Sequence, residues 1–151
     1  MTTRADIETL LVSRAGASLA SAGMAVTIVG TNASLNDAIG WAIRQSGGTV
    51  TAPALVTSTD VQTVDSADFD QLIDLAELRT LETILSNYSA VDKKAGPVEL
   101  KSSQFADRIL ARIGQLRSWI AVAYDIGSYG AFSVSLTRTD GYSELADADD
   151  L

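Results

Sequence analysis

Three carboxylates, Asp70, Asp74 and Glu77, follow one another at spacings of four and three in a stretch with helical periodicity, so they share one helix face. Oxygen ligands in that arrangement could hold a hard cation such as calcium, magnesium or manganese. The competing reading is a solvated acidic face whose first turn complements the helix dipole. No further ligand stands near them in the sequence, so the solvated face is favoured and no metal is expected. Arg108, Arg112 and Arg117 line a second helical stretch against Asp107 alone. They form either a partner-binding face or, as their charge pattern favours, a solvated or internally paired one. Trp41 and Trp119 also fall on helices; Trp119 projects off its helix's apolar seam, as an anchor for a partner or as cover for the N-terminal part.

Most other chemistry is excluded by what the chain lacks. It has no histidine and no cysteine, which removes Ser-His-Asp triads, Cys-His nucleophiles, thiolate metal sites and disulfides. No phosphate loop or dinucleotide fingerprint is present, because Gly127, Gly130 and Gly141 have neither the spacing nor the context. Asn32-Ala33-Ser34 matches a glycosylation acceptor but reads as turn and cap chemistry, and Asp140-Gly141 with Glu144 is too short for a calcium loop. No catalytic residue and no cofactor is expected; the chain reads as a non-enzyme.

The elements that must position these residues are mostly helical. Thr3-Arg4-Ala5-Asp6 has capping-box spacing, and Ile7, Leu10, Leu11 and Ala15 recur every three or four residues, predicting a short helix over 6–14 stopped by Gly16. Residues 16–33 are rich in Ala, Gly and Ser, with a β-like core at Ala25–Val29: a loop, or a short strand needing a partner. Asn32 or Ser34 caps a helix carrying Leu35, Ala38, Ile39, Ala42 and Ile43, ended by Gly47-Gly48. Residues 48–58 are β-branched around Pro53 and read as connector or edge strand; one helical turn follows within 59–64. Asp65 and Asp68 cap a long helix to about Ser89, apolar on more than one side and so expected to have more than one neighbour. After Gly96-Pro97, Phe105, Ile109, Ile113, Leu116, Ile120 and Tyr124 mark a narrow bundle-type seam ended by Gly127. The two long helices are expected to form an antiparallel pair, acidic residues on the first facing arginines on the second. Beyond them, Phe132, Val134 and Leu136 alternate with polar residues as a half-buried strand, which pairs either with another segment of this chain or with a partner.

The expected architecture is therefore mainly α. It is a helical bundle over 1–125 built on the long pair, with a small β element, followed by an extended C-terminal arm and acidic tail over 126–151. The chain of 151 residues suits one domain. Its net charge of -8 argues against nucleic acid as a tightly held ligand and against an anionic membrane surface, yet suits a wall past which DNA slides. Arg4, Asp6, Glu8 and Arg14 interrupt any signal-peptide layout, and no apolar run is long enough to span a membrane, so a soluble intracellular protein is expected.

This order of two short helices, a connector, DLAELRTLETILSNY and FADRILARIGQLRSWI as long paired helices and an extended tail resembles the head-to-tail adaptor (connector, neck or head-completion) proteins of tailed bacteriophages. The likeness covers roughly 3–45 and 65–125 and rests on helix order, since the family has no catalytic fingerprint. It implies a homo-oligomeric ring, typically of twelve copies, fastened below the portal protein in the virion neck and assembled in the host cytoplasm. It also implies a central channel through which DNA passes. Carried onto this chain, the resemblance makes Tyr129, Phe132, Val134 and Leu136 the docking arm and the helix bearing Asp70, Asp74 and Glu77 a channel wall. The 16–33 and 49–58 segments depart from the compact family pattern. The resemblance also implies a tail or stopper protein as a partner. A tail-completion protein of the same junction is the nearest alternative; a cytoplasmic acidic binding or regulatory module, suited to a basic target, is the alternative from another class.

Overall fold

The computed structural model describes the chain over 2–91 and 99–124, and its side chains over 2–87 and 104–124. Five α-helices make up most of it: α1 (Arg4–Ser21), α2 (Asn36–Gln45), α3 (Ser58–Val61), α4 (Phe69–Val91) and α5 (Glu99–Ala123). The mainly helical bundle expected from periodicity is what forms. No strand occurs among the described residues, and the segment 131–137 lies outside them.

Helix α1 opens with the Thr3–Asp6 capping box: Thr3 Oγ1 accepts from the Asp6 amide at 3.3 Å, and Asp6 accepts from the Thr3 amide at 2.7 Å. The Thr3 amide first, and then the Thr3 hydroxyl donating to the same carboxylate oxygen at 2.7 Å, hold the Asp6 carboxyl below its usual pKa. The helix does not stop at Gly16. Its buried stripe of Ile7, Leu11, Ala15 and Leu19 runs straight past that residue, and the stop is Gly23. There φ is +69°, the Gly23 amide donates to Ala20 and the Met24 amide to Leu19. That is a Schellman motif, and it needs the left-handed conformation that Gly16 does not adopt. Gly47, at φ +79°, closes α2 in the same way.

Helix α4 is the hub of the bundle, packing against α1, α2 and α5. That explains its double stripe: Leu72, Ile73, Leu75, Ala76, Leu78, Leu81 and Ile84 are all buried. Helix α5 follows the expected seam, with Ile109, Ile113, Leu116 and Ile120 buried and Phe105 and Tyr124 packed partly against the core. Off that seam, Leu110 and Trp119 are more than half exposed.

The stretches with strand-like composition, 24–32 and 48–57, are irregular, and side chains take the role a partner strand would play. Glu8, fully buried on α1, accepts from the amides of Val29, Gly30 and Asn32 at 3.0, 2.7 and 2.8 Å. Asn32 donates to the carbonyls of Ala25 and Thr27, both at 2.9 Å. In the second stretch, the Thr51 and Thr57 amides donate to Asp60, and the Val56 amide donates to Asn36. The Thr57 and Thr51 backbone bonds outweigh burial and bring the Asp60 carboxyl down to about 2. Arg4, also fully buried, ties both stretches to α1 by donating to Glu8 (3.0 Å), Asn36 and the carbonyls of Asn32 (2.8 Å) and Val56.

Glu8→Ala should cost about 3–5 kcal/mol in chemical denaturation, because it strands the Arg4 charge in the interior and orphans three amides. A loss below about 1 kcal/mol would mean that the loops hold themselves by packing alone.

Candidate functional site

The charged residues singled out in the sequence converge where α1, α4 and α5 meet. Glu77 is buried and lies between two guanidinium groups: Arg14 of α1 at 3.0 Å, and Arg112 of α5, whose Nη2 and Nε reach it at 2.7 and 2.9 Å. One turn back on α4, Asp74 accepts three bonds. Arg14 donates at 2.9 Å, the Trp119 indole N–H at 3.1 Å and the Tyr124 hydroxyl at 2.7 Å. Burial acts to lower the Arg14 pKa, but the hydrogen bonds to Asp74 and Glu77 outweigh it and the net shift is upward.

The solvated face expected of Asp70, Asp74 and Glu77 is thus not what forms. Only Asp70 lies on it; Asp74 is mostly covered and Glu77 is 2% exposed, both engaged by partners from other helices. The reason is the packing of α1 and α5 against α4, which brings Arg14 and Arg112 over these two residues. The opposite-charge matching of the two long helices is realised in Glu77–Arg112 and in Glu82–Arg117 at 2.8 Å. Arg108 has no ion-pair partner among the described residues. Among those residues no group of three acidic or other ligating side chains is arranged to hold a metal ion. Tyr129, Phe132, Val134 and Leu136 lie outside the described residues. Trp41 is partly buried, with the Arg79 guanidinium 6.0 Å from its ring centroid.

Around this junction opens a cleft of about 550 Å³, lined chiefly by Arg14, Asp70, Asp74, Arg112, Trp119 and Tyr124. A second hollow of about 380 Å³ shares Arg14 and Arg112 and includes Arg108, Phe105 and Ile109. The first cleft has the composition of a recognition surface. Its one hydroxyl is not activated: burial first, then the Asp74 hydrogen bond and charge, push the Tyr124 phenol up to about 12, the reverse of a primed nucleophile.

The sequence reading missed Arg14 and the Arg4–Glu8 pair, treating them as charges that merely interrupt an apolar run. The signal was present. Arg4 and Glu8 share a stripe with Leu11, Ala15 and Leu19 at spacings of four, three, four and four, so both were bound to face the core.

Tyr124 yields a pH prediction. A phenol raised from 10.0 to about 12 on folding adds stability that is complete below pH 10 and is lost as pH rises through 12. The absorbance difference between the native protein and Tyr124→Phe should show a phenolate forming near pH 12; a midpoint near 10 would mean the Asp74 contact is not made. No protein family, no curated protein and no solved structure matches this chain.

Proposed function

We propose that this chain is a structural assembly protein, a head-to-tail adaptor of a tailed bacteriophage. In this reading copies form a ring, typically of twelve, below the portal, made in the host cytoplasm and carried in the virion neck, with DNA passing through without specific binding. Finer features belong to the same proposal: the two long helices run antiparallel, a small β element forms at the C-terminal side, and 126–151 includes an arm that docks to the portal or to a neighbouring copy.

The observation that carries the reading is the one-sided packing of α5. One narrow seam joins it to α4, while Leu110, Trp119 and Val122, at 52, 56 and 82% exposure, face outward. A long helix that keeps bulky apolar side chains exposed beyond its buried seam is what an assembling subunit presents before its neighbours arrive. The helix order adds support, as does a cleft with no primed nucleophile. No described helix is long and apolar enough to cross a membrane. Of the three carboxylates only Asp70 is exposed, so in this reading it is the one that faces the channel. The net charge of -8 also favours a second reading, an acidic helical module that binds a basic target.

Light scattering of the purified protein mixed with portal protein tests the adaptor. A stable complex of higher mass is expected, and Phe132→Asp or Leu136→Asp should abolish it while leaving the helical circular dichroism intact. A chain that remains monomeric with portal present favours the acidic module.

A further inference from the structure

We propose that the cleft beside Trp119 seats an arginine or lysine side chain of a protein partner, with Asp70 as its counter-charge and Trp119 and Tyr124 as its walls. The proposal stands apart from the ring: it names the chemistry of a contact, whichever partner brings it.

Charge accounting supplies the first argument. The cleft lining carries two carboxylates, Asp70 and Asp74, and two guanidinium groups, Arg14 and Arg112, both of which also reach the buried Glu77. Arg14 pairs with Asp74 and Glu77 and Arg112 with Glu77, all within 3.0 Å, which leaves Asp70 as the lining carboxylate that no ion pair engages among the described residues. Its carboxylate has no ion-pair or side-chain hydrogen-bond partner among the described residues and lines the cleft. An anion entering here would find its cationic partners already taken and a free carboxylate opposing it. A cation completes the set.

Shape and ring chemistry supply the second. The volume of about 550 Å³ falls within the range of small-ligand pockets. Asp74 Oδ2 accepts from both the Trp119 indole and the Tyr124 hydroxyl, so one carboxylate oxygen tethers both aromatic side chains of the lining. Tethered rings need little reordering to receive a guanidinium or ammonium group, and Trp119 is 56% exposed while so held. Asp70 also serves as a first-turn acid of α4; that role concerns stability and does not account for an open aromatic-lined cleft beside it.

The test uses the full chain in a Trp41→Phe background, so that indole emission reports Trp119 alone. The probe is a tri-arginine peptide capped at both ends, with capped tri-glutamate as control. A saturable change in Trp119 emission with tri-arginine, accompanied by a shift of its indole N–H resonance, is expected. Asp70→Asn should weaken it by about tenfold or more. Asp107→Asn, which removes one exposed carboxylate on α5 and so the same net charge, should leave it within about twofold. Equal weakening in the two variants would overturn the proposal, since the chain would then attract the peptide only through its overall charge. Absence of a saturable response in the parent protein, or an equal response to tri-glutamate, would also overturn it.

Discussion

The buried pair between Arg4 and Glu8 sets the geometry of everything that precedes α4. An ion pair withdrawn from water is stable only when further hydrogen bonds satisfy the remaining lone pairs and protons. Here most of those bonds come from the backbones of two irregular segments. Three amides close on Glu8, two carbonyls close on Arg4, and Asn32 and Asn36 extend the net outward. The cost of burying the charges and the cost of burying unpaired backbone offset each other at one place. A hydrophobic pair at these positions would fill the space and leave the loops without a template.

This arrangement also explains where the strand-like segments went. Ala25–Val29 and Thr49–Thr57 have β composition, and their polar backbone groups must be paired wherever they are buried. Composition cannot say whether a strand or a side chain does the pairing. What decides it is that Glu8, Asn36 and Asp60, all buried in the fold, accept from amides of these segments, and Asn32 donates to two of their carbonyls. The α1 boundary failed to follow from the sequence for a similar reason. Gly16 and Gly23 are equivalent as letters, and only Gly23 takes the left-handed conformation.

The periodic parts were legible. The seam of α5 from Phe105 to Tyr124, the double stripe of α4, the Gly47 stop and the facing of acidic α4 against basic α5 all follow from spacing. The candidate site was legible only in half. Asp74, Glu77, Arg112 and Trp119 were singled out, but their mutual engagement depends on Arg14 arriving from α1, and pairing between distant elements leaves no periodic trace. The result is a division of labour along α4. Its acidic residues nearest α1 and α5 lock three helices together, and Asp70, one turn before Asp74, stays exposed on the cleft lining.

Native-state hydrogen exchange at the amides of Gly30, Asn32 and Val56 tests most directly whether side chains hold the irregular segments as a partner strand would. These residues lie outside any helix, yet each amide is engaged by a buried Glu8 or Asn36. Protection approaching that of the central α4 amides is the expected result. Exchange at the rate of an unstructured loop would contradict the account.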